Sequence, residues 1–284
     1  MSQYEVAGLI INIESDTTEP LKYLNKFLLM EHRDVDLNIT IKIKKVIEVP
    51  EGNIISIENI TTMLKKNSDQ GGFFLYIKDI FSGRILVLMD IDQDWRNVVI
   101  TYCEYNKEVY RKFVYDMIGV AFRYSLIHFD GLVIHSSTLK WNGKGLMFSA
   151  PSETGKSTHV MLWQKYLDDV IVLNDDTPAV RIINNKLYVF GTPWSGSKFI
   201  YSNDSAPLAA IVLLEQAQNN VIRTLTSQEV ISKLLPRVFL PYFDQNMVSI
   251  CMNSFEKVMV SVPIYFLQCR PDKDAMELVY QWVK

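Results

Sequence analysis

The residues with the clearest chemical content run from 146 to 158, Leu-Met-Phe-Ser-Ala-Pro-Ser-Glu-Thr-Gly-Lys-Ser-Thr. Their spacing, Ala150-x-x-x-x-Gly155-Lys156-Ser157, is that of a phosphate-binding loop with alanine in place of the first glycine. In such a loop consecutive backbone N–H groups and the positive end of the following helix wrap a chain of phosphates. Lys156 supplies a point charge to the outer phosphates, and the Ser157 hydroxyl is suited to a magnesium ion. Gly155 permits the tight turn into the helix. The plain alternative is a Gly-Lys-Ser turn opening an ordinary helix, and the flanks argue against it. Residues 145–149 read as a buried strand, and 156–167 have helical spacing through Val160, Leu162, Trp163 and Leu167.

Asn174-Asp175-Asp176 closes the apolar run 170–173. Carboxylates at the end of a strand beside a phosphate loop can hold magnesium, and one of a pair can accept a proton from an attacking hydroxyl. Adjacent acids on a strand point to opposite faces, so both reach one site only through a bulge or turn. By themselves they could equally cap the turn into Thr177-Pro178. His135, in His135-Ser-Ser, stands in an apolar strand, where a lone histidine is more often a hydrogen-bonded core residue than a catalyst. Residues 191–198, Gly-Thr-Pro-Trp-Ser-Gly-Ser-Lys, form a turn-rich loop that fits a substrate clamp or a plain connection equally well. Arg223 and Arg237 are scattered cations. Phosphoryl transfer wants one such charge, but most arginines sit on solvated faces.

The elements that must position these groups fall into two patterns. Residues 4–13 read as a strand and 20–31 as a short helix. Residues 37–44 alternate strictly, with Leu37, Ile39, Ile41 and Ile43 on one face, which predicts a half-solvated antiparallel strand. Strands are also predicted at 72–77, 84–91 and 97–102, so the first hundred residues read as β-rich. A helix over 106–128, through Val109, Phe113, Met117, Val120, Ala121 and Tyr124, links this half to the next. Beyond it come a strand at 132–140, a hairpin turn at 141–145, the loop and its helix, a strand at 170–176, and a strand pair, 179–183 and 186–190, joined through Asn184-Asn185. Further expectations are a strand at 207–215, helices at 227–235 and 245–259, a strand at 262–268 and a C-terminal helix at 272–283.

At 284 residues and 48% hydrophobic, the chain has ample material for one large or two modest cores. Its 29 basic and 32 acidic residues give a net charge of −3, no footprint for nucleic acid or an anionic membrane. Cys103, Cys251 and Cys269 are widely spaced and odd in number, matching neither a disulfide framework nor a Cys-x-x-Cys site, so a reducing cytoplasm is the expected setting. No run approaches the ~20 apolar residues that span a bilayer, and the N-terminus lacks the basic start of a signal peptide.

Taken in order, His135-Ser-Ser, the loop at 150–158, Leu-Asn-Asp-Asp-Thr at 173–177, Gly-Thr-Pro-Trp-Ser-Gly at 191–196 and the apolar strand from Pro207 resemble the HPr kinase-like proteins. These share the fold of the ATP-utilising phosphoenolpyruvate carboxykinases. In particular, the chain is similar to small kinases found beside biosynthetic clusters for ribosomally made, modified peptides, some of which phosphorylate serine on a precursor peptide. The resemblance covers roughly residue 122 to the C-terminus.

It implies that Ala150, Pro151, Ser152, Glu153, Thr154, Gly155, Lys156, Ser157 and Thr158 bind the phosphates of ATP and that Ser157 binds Mg2+. Asp175 and Asp176 would match the family's acidic pair, one acting as base towards the acceptor hydroxyl and the other assisting the metal. His135 would lie near the transferred phosphate, and Arg237 would contact phosphate. Two positions depart from the family: Ala150 replaces the loop's first glycine and Glu153 a further one, and alanine is tolerable only if its backbone avoids positive φ. The phosphate-removing activity of the bifunctional HPr enzyme has no counterpart signature here and is not expected.

The expected fold is therefore mixed α/β (α+β), with a β-rich N-terminal domain over 1–105 and an HPr kinase-like P-loop core over 106–284. The expected activity is ATP- and Mg2+-dependent phosphorylation of a hydroxyl, most simply serine of a peptide or protein. A small-molecule hydroxyl kinase and a catalytically reduced nucleotide-binding scaffold are the alternatives. The N-terminal domain would recognise the substrate, with 37–44 as an edge strand pairing an extended peptide. The resemblance also allows an oligomer.

Overall fold

The N-terminal half contains strands β1 (Ser2–Val6), β2 (Leu9–Ser15), β3 (Leu37–Lys44), β4 (Asn53–Glu58), β5 (Thr61–Lys65), β6 (Phe73–Lys78), β7 (Ile85–Ile91) and β8 (Asn97–Cys103), then helix α1 (Lys107–Ser125). The computed structural model describes residues 2–284 other than 16, 18, 68, 105, 106 and 197, and the side chains of 19, 20 and 107–111 stand outside it as well. The strands form one sheet in the order β1-β2-β3-β8-β7-β6-β5-β4. Its pairs are antiparallel except at the centre, where β3 runs parallel to both β2 and β8.

The structure of this half departs from three expectations. Residues 4–13 are not one strand, because Ala7 (φ 52°) and Gly8 (φ 76°) make the left-handed turn of a β1–β2 hairpin. A two-residue hairpin turn of the I′ type needs positive φ at both central positions, and alanine at the first conceals that signal. The helix expected over 20–31 is a 3₁₀ segment, Glu19–Phe27, after which Leu28 bridges Tyr4 of β1. Strand β3 has the expected bounds, with Leu37, Ile39 and Ile41 buried, but it lies inside the sheet and has no free edge for a peptide. Alternation records that one face is buried, and carries no information about the direction of the neighbours. The open edges are β1 and β4, and β4 and β5 were not anticipated.

Helix α1 packs across β3, β7 and β8. Val114, Met117, Ile118, Ala121 and Phe122 are buried at helical spacing. The chain accordingly divides into Met1–His128 and Phe129–Lys284, so α1 belongs with the first sheet, whereas the sequence grouped it with the second domain. The expected helix start at Asn106 and the side chain of Val109 lie outside the described residues.

The second unit comprises β9 (Gly131–Val133), β10 (Ser136–Trp141), β11 (Lys144–Ser149), α2 (Lys156–Tyr166), β12 (Ile171–Asn174), β13 (Ala179–Ile183), β14 (Lys186–Phe190), β15 (Ser205–Gln216), β16 (Val221–Thr224), α3 (Ser227–Leu234), α4 (Gln245–Ser261), β17 (Ile264–Cys269) and α5 (Lys273–Val283). Both expected hairpins form on left-handed pairs, Asn142-Gly143 and Asn184-Asn185. The expected strand 132–140 breaks at Ile134-His135, because β9 pairs β13 whereas β10 pairs β11 and β12. A chain that changes partners must leave the ladder where it does so.

Strand β15 organises this sheet. Its start pairs antiparallel with β14, its middle parallel with β11, and its end parallel with β17. The short β16, which the sequence did not reveal, completes that side on β17. The long apolar run of β15 reflects burial on both faces. Trp163 of α2, Trp141, Phe148, Val212, Leu267 and Val279 of α5 form the core beneath α2 and α5. Asp244 caps α4, Asp272 caps α5, and Thr226 with Glu229 forms a capping box on α3. No helix among the described residues is long and apolar enough to cross a membrane.

Candidate active site

Strand β11 ends at the buried Ser149, and α2 begins at Lys156. Between them the chain makes the loop that the sequence singled out. Gly155 is the residue before the helix, at φ 107°. No protein atom lies within 4 Å of where its Cβ would stand, so the backbone angle, not crowding by the fold, demands glycine there. Ala150 is buried and is absent from the left-handed residues, which meets the condition for alanine at that position. Glu153 does take a left-handed angle, φ 64°, with its side chain exposed. A β-carbon in that conformation costs on the order of 1 kcal/mol, and the carboxylate is kept on the outside of the loop. Gln216, at the end of β15, donates to the carbonyls of Glu153 (3.3 Å) and Thr154 (3.4 Å) and ties the loop to the sheet.

Pro151 and Ser152 are exposed, whereas Thr154, Ser157 and Thr158 are half-buried. The N–H groups of the first turn of α2 have no intrahelical acceptor, and Gly155 offers no side-chain cap. Lys156 is 8% exposed, and its Nζ donates to the carbonyls of Ala150 and Pro151, each at 3.1 Å. Burial holds its pKa below the usual lysine value. Asp176 opposes that shift, Arg237 reinforces it and Asp175 opposes it. All three charges therefore act on this one ammonium group.

The acidic pair sits just past the end of β12, off the strand. Asn174, fully buried, accepts with Oδ1 from the N–H groups of Asp176 (2.8 Å) and Thr177 (2.7 Å). Its Nδ2 donates to the carbonyls of Thr192 (2.9 Å) and Trp194 (2.9 Å). This is the turn that strand geometry required if Asp175 and Asp176 were to serve one site. The loop 191–198 thereby gains a definite job, although its Ser197 lies outside the described residues. Thr192 Oγ1 donates to Thr177 O at 2.9 Å, Thr177 Oγ1 donates to Trp194 O, and a Cβ on Gly196 (φ 67°) would stand 3.4 Å from Asp176 Cβ. The loop buttresses the acidic turn, and Asn174, which no motif singles out for this part, is the joint between them.

His135 occupies the gap between β9 and β10. Its Nδ1 lies 2.9 Å from Asp176 Oδ1, and its backbone N–H donates to the carbonyl of Arg237 at 2.7 Å. Ile134 bridges Val238, and Phe239 N–H donates to Val133 O, so the stretch after α3 runs antiparallel beside His135. That pairing fixes Arg237, which no sequence motif had secured. His135 Nε2 and Arg237 Nε are buried without a hydrogen-bond partner. Arg223, by contrast, is committed to Glu229 at 2.7 Å.

On the other flank Ser137, fully buried in β10, donates from Oγ to Asp175 Oδ1 at 2.6 Å and lies 3.5 Å from Ser157 Oγ. These hard oxygen atoms suit magnesium, which takes one or two carboxylates and completes its shell with water and phosphate. Among the described residues no group of three or more His, Cys, Asp or Glu side chains is arranged to hold a metal unaided. The donor set fits a cation that arrives with phosphate.

Two clefts adjoin the loop. One, about 570 Å³, lies towards Arg237, Lys233 and Phe266. The other, about 710 Å³, lies towards His159, Cys269 and Arg270. Both fall in the size range of small-molecule sites. His159, on α2, is buried against Phe148, and burial pushes its pKa down to about 4.

No family model and no curated protein matches the chain. Among solved structures, the chain is similar to the HPr(Ser) kinase/phosphatase from Coxiella burnetii, with a TM-score of 0.30 and 12% identity over 53% of this chain and 87% of that one. The likeness is weak and concerns fold, that of a mixed α/β protein.

Proposed function

We propose that the chain is an ATP- and magnesium-dependent kinase that transfers the γ-phosphoryl group to a hydroxyl, a serine of a peptide or protein. The observation that carries this reading is the convergence of Lys156, Asp175, Asp176 and Arg237 on the N-terminus of α2. Magnesium, when bound, would neutralise charge on the phosphates, with Ser157 and Asp175 as its protein ligands.

The loop N–H groups and the start of α2 bind the phosphates, and Lys156 meets their outer charge. Asp176 is the base. His135 occupies its Oδ1, which leaves Oδ2 to take the proton as the acceptor oxygen bonds to phosphorus and the bond to the departing ADP breaks. Arg237 faces the charge carried by the moving group. The intact acidic pair and the outward Glu153 favour a catalyst over a scaffold. Substrate recognition is assigned to the N-terminal unit, whose open edge β4 exposes Ile54 and Ile57. A reducing cytoplasm is the proposed setting, on the odd number and wide spacing of the three cysteines.

The test is transfer from γ-labelled ATP with magnesium into a size-fractionated lysate of the source cells, with Lys156→Ala in parallel. Lysine-dependent label in the peptide and protein fractions is expected. Label confined to the small-molecule fraction would move the acceptor to a small hydroxyl compound, and absence of label despite ATP binding would overturn the reading.

A further inference from the structure

We propose that Ser137 is a positioning residue that orients both Ser157 and Asp175 towards the cation of the bound nucleotide; this rests on the kinase reading above. Ser137 is fully buried and its register against β11 is fixed. It pairs with Phe148 of β11, and the ladder to β12 shifts register just beyond it, between Thr138 and Leu139. Its neighbours face the other way, as strand geometry requires. The hydroxyls of Ser136 and Thr138 meet each other at 3.3 Å, and Ser136 also donates to Ile134 O at 3.0 Å. The backbone N–H of Ser136 donates to Asp176 O at 3.0 Å, but of the three hydroxyls it is that of Ser137 that reaches a carboxylate of the acidic turn.

A serine hydroxyl has one proton and two lone pairs. At 2.6 Å from a carboxylate oxygen, in the range of a charge-assisted bond, the proton of Ser137 is committed to Asp175. The 3.5 Å contact with Ser157 can then run only one way, with Ser157 donating. The chain of polarity is Ser157 O–H to Ser137, and Ser137 O–H to Asp175 Oδ1. A hydroxyl binds a cation through a lone pair, so its proton must be taken by something else, and Ser137 is that acceptor. The same bond occupies one oxygen of Asp175, fixes the carboxylate plane and leaves Oδ2 for the metal or its water. Nothing else on β10 can hold both groups in this arrangement.

The experiment titrates ATP into the full chain with and without Mg2+, and Mn2+ by electron paramagnetic resonance in the presence of ATP, for wild type, Ser137→Ala, Ser137→Cys and Ser137→Thr. Removing an outer partner of a metal ligand typically costs about 10–100-fold in metal affinity. The expected result is a loss of at least about tenfold in Mg2+ and Mn2+ affinity for the Ala and Cys variants. Metal-free ATP affinity should stay within about threefold, and Thr, which keeps the hydroxyl, should restore the metal affinity. If the Ala variant fails to fold, the Cys variant, of matching shape and with a poor donor, carries the test. Wild-type metal affinity in a folded Ala or Cys variant would overturn the proposal, as would equal losses with and without metal. If wild type itself gains no ATP affinity from Mg2+, the kinase reading fails instead, and the two failures are distinct.

Discussion

The two sheets bury polar side chains on different terms. In the first, Gln3 binds the backbone of Arg33 through both ends of its amide, and Asn12 donates to Asn38 at 3.2 Å across the β2–β3 pair. These bonds fasten strands and a loop to one another. In the second, Ser136, Ser137, Ser149, Lys156, Asn174, Thr192 and Ser195 are all buried, and they crowd where β11 and β12 end and β10 begins. Several atoms there, His135 Nε2, Arg237 Nε and Ser195 Oγ, have no protein partner. A buried polar atom without a partner costs about 1–3 kcal/mol. Other buried polar atoms go without a partner as well, Asn12 Oδ1 and Ser125 Oγ in the first unit and His159 Nε2 on α2 among them, but those at this edge stand where incoming phosphate and hydroxyl oxygen atoms would supply the missing bonds. Parallel strands alone do not make such an edge, since β2, β3 and β8 are parallel too.

Asn174→Ala should break the comparison most severely. It strands the N–H groups of Asp176 and Thr177 and takes the Asn174 amide donor from the carbonyls of Thr192 and Trp194. Stability should fall by about 3 kcal/mol in denaturant titrations, and transfer by at least about 100-fold, because small misplacements of reacting groups are that costly. Unchanged transfer in the folded variant would mean that Asn174 does not aim the acids.

Ile39→Ala, in the interior of the first sheet, should instead cost about 2–5 kcal/mol of stability and leave Mg·ATP affinity within about twofold of wild type. A parallel loss of affinity, measured calorimetrically under conditions where the variant is folded, would show that the contrast between the sheets is not one of function.

A smaller effect concerns His159. Its folded pKa of about 4 lies below the ordinary 6.5, so the unfolded chain takes up a proton first as pH falls. The stability from burying the neutral ring is full above 6.5 and declines between 6.5 and about 4, by about 2 kcal/mol at pH 5. Denaturation at pH 7 and pH 5 should show this slope in wild type and a flatter one in His159→Gln. Equal slopes would remove His159 as its source.

How much of this was legible beforehand depended on whether the signal was local. The loop and its helix were legible because Gly155-Lys156-Ser157 and the flanking apolar spacing are properties of adjacent residues. The Asn142-Gly143 and Asn184-Asn185 hairpins were legible for the same reason, while Ala7-Gly8 performs the same turn without the usual residue. The parallel neighbours of β3 left no trace in its own alternation. Asn174 and Ser137 stood in plain view within recognised motifs, but their work is done on residues that the fold brings from 18 and 38 positions away. Arg237 became placeable only through the pairing of its backbone with His135, which no side-chain pattern announces.

The most direct measurement compares Asp176→Asn with wild type in two assays, calorimetric Mg·ATP binding and transfer of label from γ-labelled ATP to the acceptor fraction. Asparagine keeps the shape and a hydrogen bond to His135 but cannot take the proton. Mg·ATP affinity is expected within about threefold of wild type and transfer reduced by about 100-fold or more, the usual worth of a positioned base. Transfer at the wild-type rate, or a loss of binding as large as the loss of transfer, would contradict that role.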